Sequence, residues 1–204
     1  MTPRLSVLIP SHRPAMLHDA MGSVFNQTTK DVQLLVSYAD ASEVPYWPTK
    51  INELAAAAIG DYLAILCDDD ILSPQYAATM LAATDGDRHG VVYSDYAKTH
   101  DRTAVLMPAM PWTLESFQNG GCNPLCGATF LVRRDLWRAV GGIDPAQTFW
   151  DWALAYALFR TGTTAAHVAQ PLVVMREHED HTAVDTRTAM AQLHHTYPEL
   201  QRAA

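Results

Sequence analysis

The sequence predicts an α/β fold: a Rossmann-like, mostly parallel central sheet flanked by helices. Apolar runs of strand length, helical-period segments between them, and turn or cap signals at the junctions together carry that reading. The runs Leu5–Ile9, Leu63–Cys67, Phe130–Val132 and Leu172–Met175 are too short to span a bilayer and read as buried strands. Strands alternating with helices form a sheet covered on both faces. With 204 residues, 49% hydrophobic and 18% charged, the chain has the composition of one globular domain with a substantial core.

The elements follow in order. Arg4–Ile9 is a strand stopped by Pro10, and Pro14 opens a helix over Ala15–Asn26, where Met16, Leu17, Ala20, Met21, Val24 and Phe25 recur at helical spacing. Val32–Tyr38 is a second strand. Ala41–Pro48, with two prolines and two aromatics, is a loop, and Lys50–Ile59 an alanine-rich helix closed by Gly60. Tyr62–Cys67 is a third strand, Ser73-Pro74 caps a helix running to about Ala83, and Val91–Tyr93 is a further strand. The second half is less regular: a short helix at Leu114–Gln118, a loop over Gly120–Pro124, a strand at Ala128–Val132 and a helix at Arg134–Val140. A sharp Gly141-Gly142 turn leads to an amphipathic helix, Phe149–Arg160, closed by Gly162. Strands at Thr164–His167 and Leu172–Arg176 and a terminal helix at Ala183–His195 complete the chain. No repeat, low-complexity tract or linker divides it, so a single domain over 1–204 is expected.

Net charge is −8 with histidines neutral, which gives no general attraction to nucleic acid or anionic membrane. Met1–Pro10 lacks a long apolar stretch behind a basic start, so no secretory leader is expected. The three cysteines show no paired CxxC spacing, and free thiols in a cytoplasmic protein are the expectation.

The most informative feature is an apolar strand ending abruptly in Asp68-Asp69-Asp70. Ligands of open α/β sheets gather outside the carboxyl ends of strands. Three successive carboxylates there repel one another unless a cation or hydrogen-bond donors answer them. Mg²⁺ or Mn²⁺, held by one or two carboxylates plus substrate phosphates, is the natural partner. The plainer alternative is a solvated loop whose Asp caps the next helix, a task that Ser73 already serves.

The stretch Gly60–Asp70 (GDYLAILCDDD) followed by Leu72-Ser73-Pro74 resembles the signature of family 2 glycosyltransferases, which have the GT-A fold. Leu5–Arg13 (LSVLIPSHR) resembles that family's first strand and nucleotide loop, Phe25-Asn26-Gln27-Thr28 the end of its first helix, and Arg133-Arg134 through Gly141-Gly142-Ile143-Asp144 the segment before its catalytic helix. The resemblance runs from about Arg4 to Thr182. It implies a nucleotide-sugar-binding half over about 1–97, an acceptor and catalytic half over about 98–182, and a terminal helix over 183–204. It implies Asp70 as metal ligand, with Asp68 and Asp69 at positions touching ribose and metal-bound water. Pro10, Ser11, His12 and Arg13 form the nucleotide loop, Ser11 and Arg13 where the base is held and His12 where an aromatic often stacks on it. Asp40 falls where a carboxylate meets a uracil edge, and Asn52 aligns with an asparagine of the preceding helix. Asp151 matches the general base, between Trp150 and Trp152, either of which is a candidate sugar platform. Arg176-Glu177-His178 matches a late motif in which Arg176 meets the substrate and His178 completes the metal or pyrophosphate site, with His181 as its backup.

The function implied is inverting transfer from a nucleotide-diphosphate sugar, UDP-linked by expectation, to an acceptor hydroxyl. Such transfer needs a base at the acceptor and a cation at the departing diphosphate. The chain departs from the family in several places. Cys67 stands where an acid often opens the signature. Ser37–Ser42 replaces a run of acid, glycine and serine and leaves the base open. The short span from Asp40 to Gly60 predicts a trimmed sheet in which a loop at Val44–Pro48 replaces a helix and edge strand. The acceptor expected is a small molecule, an envelope glycan intermediate or a modified base of viral DNA, for which Arg133, Arg134, Arg138 and Lys98 would form a positive rim. A catalytically silent nucleotide-sugar-binding module and a nucleotidyltransferase are the alternatives; the latter lacks a glycine-rich, basic phosphate loop after the first strand.

Overall fold

The computed structural model describes residues 2–38, 46–100, 103–118, 129–177 and 186–201. The elements are β1 (Leu5–Ser11), α1 (Pro14–Phe25), β2 (Val32–Tyr38), α2 (Tyr46–Ala57), β3 (Tyr62–Ile65), β4 (Ile71–Leu72), α3 (Tyr76–Ala82), β5 (Val91–His100), β6 (Thr103–Met107) and α4 (Leu114–Gln118). After them come β7 (Phe130–Arg133), α5 (Arg134–Ala139), α6 (Trp150–Arg160), β8 (Ala165–Arg176), α7 (Thr186–Thr196) and a 3₁₀ turn at Pro198–Leu200.

The strands make one sheet in the order β2-β1-β3-β7-β5-β8-β4, with β6 paired to β5. β1 is parallel to β2 and β3, and β5 to β8; β7 lies antiparallel between β3 and β5. β1, β2, β3, β5 and β8 therefore point the same way, and the carboxyl ends of β1, β2 and β3 form one edge.

Strand periodicity sorts the core into two layers. Leu5, Val7 and Ile9 of β1 and Tyr62 and Ala64 of β3 pack with Ala20 and Val24 of α1 and Tyr76, Ala77 and Met80 of α3. The alternate residues Leu8, Leu63 and Ile65 pack on the other face with Ile51 and Leu54 of α2, Trp137 of α5, and α6. Successive side chains of a strand point to opposite faces, so each strand feeds both layers. Gly60 admits the close approach of β3 to β1: a Cβ there would lie 2.7 Å from the Ser6 backbone nitrogen. No helix among the described residues is long and apolar enough to cross a membrane.

Several expectations shift. Tyr46–Pro48, read as loop, is the first turn of α2; proline is tolerated there because first-turn N–H groups have no helical partner. The remainder of the expected replacement loop lies outside the described residues. Ser73 does not cap α3. The N-cap is Gln75, without a side-chain bond, and the Ala77 N–H instead donates to Gln27 Oε1 at 2.8 Å. Gln27 also donates to the Ser73 carbonyl at 2.8 Å, so the FNQT segment staples α1 to the start of α3. The two late strands are one, β8, interrupted by register shifts opposite Ser94–Tyr96. β5 extends to His100 and pairs with β6, a strand without a buried alternation to reveal it. α6 is less amphipathic than expected, since Trp152–Tyr156 and Leu158 are all buried.

Candidate active site

The triplet sits in a tight turn that follows β3. The Asp70 N–H donates to the Cys67 carbonyl at 3.1 Å, which brings the first and fourth side chains of the turn to one side. Its three aspartates have different surroundings.

Asp68 faces inward, with its side chain 0% exposed. Its Oδ2 accepts from Ser11 Oγ at 2.9 Å, the His12 N–H at 3.1 Å and the Arg13 N–H at 3.0 Å. Its Oδ1 accepts from Arg13 Nε at 3.0 Å and Nη2 at 2.7 Å. The carboxylate is buried, and both of its oxygens accept hydrogen bonds from the β1–α1 loop. It fastens the β1–α1 loop to the end of β3.

Asp69 and Asp70 are each 6% exposed. Arg13 Nη2 spans Asp68 and reaches Asp69 Oδ2 at 2.8 Å. Burial opposes the Arg13 charge, but its hydrogen bonds to Asp68 and the charges of Asp69 and Asp68 outweigh it and raise its affinity for the proton. Asp70 has no ion-pair partner among the described residues. Burial, then repulsion from Asp69, pushes its carboxyl up to about 8, although the Arg176 backbone N–H and the charges of Arg176 and Arg13 favour ionisation. Cys67 Sγ and one carboxylate oxygen each from Asp69 and Asp70 lie within 4.8 Å of one another. A pocket that resists a bare second charge and gathers three donor atoms fits a divalent cation.

Arg176, at the carboxyl end of β8, reaches the same turn. Its Nε donates to the Asp69 carbonyl, its Nη1 pairs with Asp19 Oδ2 of α1 at 2.9 Å, and its Nη2 points to the Met16 carbonyl at 3.5 Å. Pro10 and Ser11 are buried at the carboxyl end of β1, and the His12 ring meets Trp47 of α2 edge-on, with centroids 5.2 Å apart. Trp47 and Asp19 carry no motif, and only their packing reveals them. Cys67 was legible as a departure from the signature but not as a donor atom beside two carboxylates.

Other expected residues are placed differently. Asn52 is tied to the backbone of Ile143: its Nδ2 donates to the Ile143 carbonyl at 2.7 Å and its Oδ1 accepts the Ile143 N–H at 3.0 Å. It thereby anchors the Gly141-Gly142 turn to α2. Gly142 has φ +73°, and a Cβ there would lie 2.5 Å from Asn52 Oδ1. Both halves of the Asn52 amide are used in this link. Asp151 lies half-buried in the first turn of α6, with Oδ1 accepting the Trp152 N–H at 2.8 Å. Trp152 is 6% exposed and belongs to the core, so the accessible ring beside Asp151 is that of Trp150. Three of the basic residues expected to form a rim make local contacts. Arg133 is paired with Tyr62 at the far end of β3 and binds Asp135, and Arg134 donates to the Ala58 carbonyl. Lys98 pairs with Glu177 at 2.8 Å. Asp40, His178 and His181 lie outside the described residues.

No family profile and no curated protein sequence matches the chain. Solved structures do. Residues 1–349 of TarS from S. aureus, in complex with UDP-GlcNAc, superpose with a TM-score of 0.68 at 13% identity, over 95% of this chain and 65% of that one. The mannosyltransferase PcManGT from Pyrobaculum calidifontis, in complex with GDP-Man and Mn²⁺, gives 0.61 at 13% identity, over 87% and 57%. GalNAc-T7 with UDP, GalNAc and Mn²⁺ gives 0.69 at 15% identity, over 95% and 48%. The chain thus spans between about half and two thirds of the length of these neighbours, all of them GT-A glycosyltransferases. The sheet flanked by helices, with Asp68–Asp70 at its carboxyl edge, is a GT-A type α/β fold.

Proposed function

We propose that this chain is an inverting glycosyltransferase that moves a sugar from a nucleotide-diphosphate sugar, UDP-linked by expectation, to an acceptor hydroxyl. The observation that carries the reading is the convergence of Asp69 and Asp70 with Arg13 and Arg176 at one edge of the sheet. Paired carboxylates suit a cation, and guanidinium groups beside them suit the phosphates that the cation would accompany. The neighbours solved with UDP-GlcNAc, or with GDP-Man and Mn²⁺, support the same substrate class.

Asp69 and Asp70 would hold Mn²⁺ or Mg²⁺, with His178 as the further expected ligand. When bound, the cation supplies Lewis-acid neutralisation of the departing diphosphate. Asp68 acts at one remove, by fixing the loop that carries His12 and Arg13 against the triplet. Asp151 takes the acceptor's hydroxyl proton as that oxygen bonds to the anomeric carbon. The bond from this carbon to the diphosphate oxygen breaks on the opposite face, and its electron pair leaves with the diphosphate. Configuration is thereby inverted. Asp151 stands in the first turn of α6, and the Trp150 ring is the surface offered to the sugar or acceptor. The acceptor class is a small molecule, an envelope glycan intermediate or a modified base in viral DNA, and the site of action is the cytoplasm.

Incubating the full chain with a panel of nucleotide sugars and Mn²⁺, and measuring released nucleoside diphosphate, tests the reading. One donor should be cleaved, with cleavage lost in Asp70→Ala. Cleavage of none, together with binding of none, overturns it.

A further inference from the structure

The turn that holds Asp69 and Asp70 contains a third donor atom of different chemistry. The Asp70 N–H to Cys67 carbonyl bond folds residue 67 back beside residue 70, and Cys67 Sγ comes within 4.8 Å of carboxylate oxygens of both Asp69 and Asp70. Cys67 is an unpaired, partly exposed cysteine. Asp70, with 94% of its surface buried and no ion-pair partner among the described residues, directs its carboxylate into the same small space. Asp68, the remaining acid of the turn, is fully engaged by Ser11, His12 and Arg13 and cannot serve there.

We propose that Cys67 Sγ is a protein ligand of the cation held by Asp69 and Asp70, and that it biases this site toward thiophilic divalent cations such as Co²⁺ and Zn²⁺ over Mg²⁺. The proposal rests on the cation site of the proposed function and deepens it. Sulfur ligands select softer ions, whereas Mg²⁺ demands oxygen in near-ideal octahedral geometry and dehydrates reluctantly. Coordination makes one metal–sulfur bond, and the thiol proton leaves to the buffer. An acid at the same position would give an all-oxygen site and the opposite preference.

Titrating the full chain with Co²⁺, with and without UDP, tests this by absorption and calorimetry together. The wild-type protein should show a near-ultraviolet sulfur-to-cobalt charge-transfer band. The band should persist in the Cys122→Ser, Cys126→Ser double variant and vanish in Cys67→Ser. Cys67→Ser should also weaken Co²⁺ binding by on the order of 10- to 100-fold, the range found when a supporting group of a metal site is lost. Cys67→Asp should still bind cations, with its preference for Co²⁺ over Mg²⁺ reduced at least about tenfold, as expected for exchanging sulfur for oxygen. Thermal unfolding of each variant checks that the fold survives. Calorimetric Co²⁺ binding that lacks the band, is unchanged in Cys67→Ser and is lost in Asp70→Asn would overturn the sulfur ligand and leave the carboxylate site standing. Absence of binding by any cation to wild type and Cys67→Asp, with UDP present, would overturn both.

Discussion

The turn at 67–70 and the start of α6 both present aspartates, but the two regions are built differently. In the turn, Asp68 is gripped by five donors from one loop, and Arg13 extends that grip to Asp69. On α6, Asp151 accepts the N–H of the next residue, and the aromatic residues around it belong partly to the core. The first region is organised before any ligand arrives. In the second the carboxylate is placed by its position in the first turn of the helix and by the Trp152 N–H. On the proposed reading, the donor site is the more tightly fastened of the two and the acceptor site the less.

The largest effect that divides the regions is on turnover. Asp151→Asn should lower transfer by about 10²- to 10⁴-fold, the range for losing a general base, with nucleotide affinity in the presence of Mn²⁺ unchanged. Steady-state rates and calorimetry on the same preparation check both halves. Equal turnover in the variant would remove Asp151 from the mechanism.

Next comes the grip itself. Asp68→Ala leaves the Arg13 guanidinium, with a side chain only 13% exposed, and the Ser11 hydroxyl without their main partner. Breaking a buried pair on one side costs about 3–5 kcal/mol, read as a lower midpoint in urea. A loss below about 1 kcal/mol, the scale of an exposed pair, would show that the loop is held by other contacts.

Asn52→Ala should cost about 1–3 kcal/mol, because the Ile143 peptide loses both of its side-chain bonds. Its donor KM should not move, which separates an anchor of the 141–143 turn from a nucleotide contact. Gln27→Ala should cost about 1 kcal/mol, the usual worth of a helix cap.

A different kind of effect follows from Asp70 and depends on pH. Its folded carboxyl is raised from the usual carboxylate value to about 8, so the cation-free folded state holds a proton that the unfolded chain has released. Stability of the cation-free protein should therefore fall as pH rises from about 4 toward 8 and level off above that. Asp70→Asn should flatten this fall, and saturating Mn²⁺ should reverse it. Chemical unfolding at a series of pH values, with a chelator or with Mn²⁺, measures each slope.

Most of the sheet was legible from sequence because buried strands are short apolar runs and each layer follows from period-two alternation, as in Leu5–Ile9 and Tyr62–Ile65. The triplet was legible because three carboxylates at a strand end need an explanation. The division of labour within it was not. Asp68 is set apart by Arg13, 55 residues away, and no local pattern encodes that pairing. Ser73 looked like a cap because local rules favour serine before proline, whereas the acceptor for Ala77 comes from Gln27, 50 residues distant. Asn52 matched a motif in the chain, but its position in space assigns it to the Ile143 backbone. β6 escaped because Thr103–Val105 and Leu106 are exposed and show no buried alternation.

The central claim is that Asp70 and its neighbours hold a nucleotide diphosphate through a divalent cation. A thermal-shift screen of nucleotide sugars with and without Mn²⁺ tests it most directly. A ligand at 100 times its Kd stabilises the folded state by about 2.7 kcal/mol, which for a chain of this size is roughly 5–10 °C. The account predicts such a shift for one donor, only when Mn²⁺ is present, and its loss in Asp70→Ala. A shift of the same size without any divalent cation, or one that survives in Asp70→Ala, would contradict it.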